Sequence, residues 1–179
     1  LQLFKSQNQE CLLEGLKAIF EHMNGSPREI WFDNASTIVN AIRKDGQRDI
    51  NKGFERFMLH YKFDSNFCNP NKGNEKGHVE NKVGYTRRNL LVPIPAFDDI
   101  REFNRQLLIK CDADMHRQHY KKPQTIVELF AEDKQALHPL PVSPFEVYRL
   151  EIAKADNYGK VRYDNRRYSS TPAFAGRQL

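Results

Sequence analysis

The sequence predicts an α/β domain followed by a small β-rich tail, and three observations carry that prediction. A helical apolar period, Leu12, Leu16, Ile19, Phe20 and Met23, runs into a short continuous apolar stretch, Ile30, Trp31 and Phe32. The same helix-then-strand order repeats with Phe54, Phe57, Met58 and Tyr61 ahead of Phe63 to Cys68. A segment with three prolines, Leu137 to Pro144, then separates all of this from short β-type runs punctuated by turns. Alternating helix and strand makes parallel pairing the expectation. A chain of 179 residues is long enough for one domain with a sizeable core and a small appendage.

Taken in order, Ser6-Gln7-Asn8-Gln9 reads as a capping box that opens the first helix, which Gly25 and Pro27 stop. Arg28 to Phe32 reads as a buried strand, with Trp31 in the core and Asp33 at its carboxyl edge, where open α/β sheets gather ligands. A polar stretch follows, then the second helix and second strand. Asn69-Pro70-Asn71-Lys72-Gly73 is a loop by its own chemistry. From Asn74 to about Val92 the pattern is helical, with Val79, Val83 and Leu90 on one stripe and Glu80, Gly84, Arg87 and Leu91 on the next.

Pro93 and Pro95 end that helix, and Asp98 or Asp99 caps another that carries Ile100, Phe103, Leu107, Cys111 and Met115. Thr125-Ile126-Val127-Glu128 is a further capping box. Beyond the prolines, Phe145 to Ala155, Val161 to Tyr163 and Tyr168 to Thr171 read as strands, with turns at 157–159 and 164–165. The expected organisation is therefore 1–136 as the α/β domain with its trailing helices, 137–144 as linker and 145–179 as a small basic β domain. No internal repeat or low-complexity tract is present.

Charge and cysteine usage narrow the function class. With 28 Lys and Arg against 23 Asp and Glu, the net charge of +5 suits an anionic partner. Cys11, Cys68 and Cys111 are far apart and show no Cys-x-x-Cys spacing, and no histidine stands at ligand spacing from any of them, which disfavours a disulfide framework and a zinc site. A reducing cytosol is the expected home. No apolar run approaches a membrane span, so no membrane partner is expected, and the start lacks a signal peptide. The absence of Met at position 1 points to a segment of something longer.

The chemistry concentrates in two places. Trp31-Phe32-Asp33-Asn34 is an apolar run ending in a carboxylate, and Asn69 to Glu80 is a glycine- and lysine-rich loop running into another, 47 positions on. Two carboxylates on rigid elements can share divalent metal beside a phosphodiester, because hard cations take oxygen ligands and a pair of Mg²⁺ ions activates the attacking oxygen and stabilises the leaving one. Beside such a site Lys72, Lys76, Arg87 and Arg88 read as phosphate contacts, which position DNA without reading its sequence. His78 reads as a DNA or structural contact, since Mg²⁺ prefers oxygen. The plainer readings stay open: Asp33 and Asn34 could merely end a strand and cap a turn, and Glu80 and the basic residues could be a solvated helix face.

Asp-Asn after an apolar strand, followed by Lys76-Gly77-His78-Val79-Glu80 after a proline-bearing loop, resembles the second Asp and the Glu of the DDE transposase and retroviral integrase superfamily. The match is nearest to IstA-type transposases of bacterial insertion sequences. The resemblance covers roughly residues 1–120. It implies a ribonuclease H-like, integrase-type catalytic core fragment with a small β-barrel-like tail, and Asp33 and Glu80 as catalytic metal ligands for Mg²⁺, with Mn²⁺ as a substitute. It implies DNA partners (transposon ends and target), a homo-oligomer, an AAA+ ATPase helper protein, a polynucleotidyl transfer reaction in DNA recombination, and a bacterial cytoplasmic or nucleoid location. It also places the first catalytic Asp and the helix-turn-helix module upstream, so full catalysis by this polypeptide alone is not expected. Two alternatives remain: a non-catalytic DNA-binding or assembly remnant, and a ribonuclease H-like nuclease that does not join strands.

Overall fold

The computed structural model describes residues 1–43, 45–68, 83–148 and 152–179. It divides into two units, Leu1–Val147 and Tyr148–Leu179. The first is a mixed α/β unit.

Helix α1, Gln9–Met23, buries Leu13 and Phe20. Its N-cap is Asn8, whose side chain accepts from the Cys11 amide at 3.0 Å. The helix thus starts two residues later than the Ser6 box predicts. Asn caps at least as well as Ser, and Gln9, which that box needs to turn back on the cap, instead donates its amide to the Thr37 carbonyl at 3.2 Å. Asn24 closes the helix in the left-handed region, with φ 56°.

Strand β1, Glu29–Phe32, pairs in parallel with Asp64–Phe67 across Glu29↔Asp64 to Phe32↔Phe67. Between them lies an antiparallel ribbon, β2 (Val39–Ile42) with β3 (Arg48–Ile50), and helix α2 (Lys52–Tyr61); Asp64–Phe67 is accordingly β4. The ribbon corrects the reading of that stretch as merely polar. Trp31 is a second correction: it is 56% exposed, and its indole N–H donates to Glu29 Oε1 at 2.6 Å. Side chains alternate along a strand, so Ile30 and Phe32 turn to the core while Glu29 and Trp31 turn away.

The core gathers Leu13, Phe20, Ile38, Val39, Phe54, Phe57, Tyr61 and Phe63. Its aromatic rings meet mostly edge to face, Phe20 with Tyr61 at 5.1 Å and Phe32 with Phe54 at 5.3 Å, an arrangement the ring quadrupoles favour. Asn51 caps α2 by accepting from the Gly53 amide at 2.9 Å.

After the undescribed stretch, residues 83–90 are helical (α3), followed by α4 (Ile100–Asp114), capped by Asp99, and α5 (Ile126–Asp133), whose Thr125 and Glu128 form the expected capping box. The proline-bearing segment lies along this unit. Ser26 and His138 exchange main-chain hydrogen bonds at 3.0 and 2.8 Å, and Leu140, Phe145 and Val147 pack against the core. Phe145 and Val147 are apolar because they cover that core, with Phe145 5.2 Å from Phe57.

In the second unit β5 (Lys160–Tyr163) and β6 (Arg166–Ser169) form an antiparallel hairpin. Asp164 and Asn165 both sit at positive φ, 45° and 59°, as a two-residue turn of the favoured twist demands. Among the described residues this tail contains no closed barrel, and no strand runs through 145–155. Instead Ala153 exchanges main-chain hydrogen bonds with Leu179 at 3.0 and 2.8 Å.

Candidate functional site

The parallel pair β1–β4 defines the edge at which the candidate site begins. Its ladder runs one bond past the strands, where the Cys68 amide donates to the Phe32 carbonyl at 3.0 Å. Asp33 follows directly. Its side chain is exposed, and no ion pair among the described residues engages its carboxylate.

Side chains then take over from the main chain. Asn34 donates from Nδ2 to the Cys68 carbonyl at 2.9 Å, adding a rung between the two chain ends. Arg48, delivered by β3, donates from Nε to Asn34 Oδ1 at 3.2 Å, from Nη2 to the same Cys68 carbonyl at 3.2 Å, and from Nη1 to the Gly46 carbonyl at 3.0 Å. Its guanidinium also lies 5.7 Å from the centre of the Phe67 ring. Sequence reasoning missed Arg48. The signal that could have found it is Asp45-Gly46, a turn dipeptide between two short runs, with Gly46 at φ 83°.

Arg87 and Arg88 are both exposed on α3. That helix is tied to α4 through Tyr85, whose hydroxyl donates to Asp114 Oδ1 at 2.5 Å, while Arg117 stacks 4.9 Å from the Tyr85 ring centre and reaches Asp114 Oδ2 at 3.2 Å. Lys72, Lys76, His78 and Glu80 lie outside the described residues. Among the described residues no group of three or more His, Cys, Asp or Glu gathers to hold a metal ion. The described part of the edge contributes one carboxylate, a hard oxygen donor of the kind Mg²⁺ takes.

No protein-family model matches the chain. Individual relatives do. It is 29% identical over 180 residues to the transposase for insertion sequences IS1326/IS1353 of Pseudomonas aeruginosa, covering 100% of this chain and 35% of that protein. It is 28% identical over 174 residues to a transposase of Aminobacter aminovorans (97% and 34%), and 27% identical over 174 residues to the transposase for insertion sequence element IS21 of Pseudomonas aeruginosa (97% and 44%). The chain is similar along its length to insertion-sequence transposases. It spans between about a third and just under half of the length of those relatives. Among its described residues no helix is long and apolar enough to cross a membrane.

Proposed function

We propose that the chain is part of a transposase that moves an insertion sequence, and that Asp33 and Glu80 are two of the carboxylates of a ribonuclease H-like catalytic core. The observation that carries this reading is the similarity to insertion-sequence transposases along the whole chain, the IS21 protein among them. The position of Asp33 supports it: a carboxylate presented to solvent at the carboxyl end of a parallel strand pair is where an open α/β sheet gathers a ligand.

Asp33 and Glu80 would hold Mg²⁺, with Mn²⁺ as a substitute. When bound, the metal would supply Lewis-acid stabilisation of the attacking and leaving oxygens in hydrolysis at the transposon end and in strand transfer. On this reading Lys72, Lys76, His78, Arg87 and Arg88 hold the DNA backbone. The tail is read as a small barrel-like domain that adds backbone contacts. Register places Arg162 directly opposite Arg167, a like-charge pair that weakens a hairpin and that an anionic partner would relieve. A homo-oligomer and an AAA+ helper complete the reading.

The test is made in a full-length transposase carrying this segment, with paired transposon ends, target DNA and Mg²⁺. Asp33→Asn and Glu80→Gln should each abolish cleavage and strand transfer while DNA binding persists. Cleavage that survives Glu80→Gln would remove the catalytic assignment. Cleavage by the unaltered protein with no joined product would indicate a nuclease instead.

A further inference from the structure

Arg48 spends all three guanidinium nitrogens on three oxygen acceptors drawn from three separate chain segments: Asn34 Oδ1, the Gly46 carbonyl and the Cys68 carbonyl. It is half-buried, and no carboxylate pairs with it among the described residues, so neutralising an acid is not what these contacts do. Two of its acceptors, on Asn34 and Cys68, lie within two residues of the ends of β1 and β4. Asn34 is the residue after Asp33, and Cys68 is the residue after β4.

We propose that Arg48 and Asn34 are positioning residues of the metal-binding edge: together they fix the chain that carries Asp33 against the end of β4. The proposal rests on the reading of Asp33 as a metal ligand. Asn34 contributes an amide that bridges: Nδ2 extends the ladder to Cys68, and Oδ1 receives Arg48. Arg48 closes the triangle, because its Nη2 meets the very carbonyl that Asn34 already holds. The set is a closed ring of three groups, and losing one member removes two of its three bonds and leaves the remaining pair joined by a single hydrogen bond. Carboxylates that share a metal need placement to within about half an ångström, which a strand end held by main chain alone does not guarantee. The arrangement also gives the Asp-Asn dipeptide a physical meaning: the first residue would bind and the second hold it in place.

The planar fork is essential to this role. Lysine keeps the charge and much of the stem but presents a single ammonium, which cannot reach three acceptors so disposed. Arg48→Lys therefore separates geometry from charge.

The experiment is Mn²⁺ binding, followed by electron paramagnetic resonance of the free ion, to a full-length transposase carrying this segment and to its Asp33→Asn, Arg48→Lys, Arg48→Gln and Asn34→Ala variants. Thermal melts are run in parallel. Asp33→Asn should remove the tight site. Arg48→Lys and Asn34→Ala should weaken it by about 10-fold or more while melting cooperatively, in the range that residues orienting metal ligands command. Should Arg48→Gln fail to fold, Arg48→Lys decides. If Arg48→Lys and Asn34→Ala bind Mn²⁺ as tightly as the unaltered protein while Asp33→Asn does not, the clamp is overturned and the metal site stands. If Asp33→Asn also binds normally, the assignment of the acidic pair falls and the clamp falls with it.

Discussion

Tyr85 donates its phenolic hydrogen to Asp114 at 2.5 Å, joining the helix that bears Arg87 and Arg88 to the last turn of α4. The bond to the carboxylate, seconded by desolvation and by the Asp114 charge, holds the phenol's pKa above its ordinary 10.0 against the opposing pull of Arg117. Its contribution to stability is then full below pH 10, where the phenol is protonated in folded and unfolded chains alike. It is lost as pH rises through the raised folded value.

Tyr85→Phe should therefore lower stability at neutral pH by about 1 kcal/mol, the net value of such a bond. It should also flatten the decline in stability as pH rises above 10. Urea unfolding followed across that range checks both, and an unchanged alkaline limb would show that the bond does not set it.

Phe54 and Phe57 are fully buried, at 0% exposure. Phe54 meets Phe32 edge to face, next to Asp33, so its loss empties space under the candidate edge. Phe54→Ala should cost about 3–5 kcal/mol and Phe54→Leu distinctly less. Chemical denaturation of the two variants gives the ratio, and equal losses would mean that ring shape, not volume, is what the core needs there.

Gly25 lies under the segment that pairs with Ser26. A Cβ at that position would stand 2.8 Å from Leu137 Cβ and 3.1 Å from the His138 carbonyl. Gly25→Ala should force 137–138 outward, break the Ser26 and His138 exchange, and cost about 1–3 kcal/mol through overpacking. Limited proteolysis should then cut within 137–144 sooner than in the unaltered chain, and an unchanged cutting rate would show that the segment yields without detaching.

On the hairpin, Arg167→Gln removes one member of the opposed arginine pair. If that face touches phosphates, DNA affinity should fall at low salt and the log–log salt slope should lose about one unit. The hairpin itself should become no less stable. A slope identical to that of the unaltered protein would assign the arginines to an ordinary solvated face.

How much of this the sequence disclosed depended on whether a residue's environment is local. Helices α1 and α2 and strands β1 and β4 are legible because their apolar residues repeat at the period of the element. The ribbon β2–β3 is not: only Val39 of β2 is buried, so no alternation marks it. Trp31 misleads because three apolar residues in a row look two-sided, although the strand buries only alternate ones. Phe145 and Val147 mislead in the same way, being apolar for the sake of helices far away in sequence. At the site, Asp33 and Asn34 stand out as a dipeptide. Arg48 does not, since its partners are 14 and 20 positions distant and only the folded ribbon brings it to them.

That ribbon makes the neighbourhood unequally tolerant of insertions and deletions. Its turn is exposed at Asp45, Gly46 and Gln47, so related chains can differ in length there. Within β3 they cannot, because sliding the strand by a single residue inverts which side every side chain occupies and would carry Arg48 away from Cys68 to the far side of the ribbon. Gaps that separate relatives of this chain should accordingly cluster before Gln47 and be missing from 48–50.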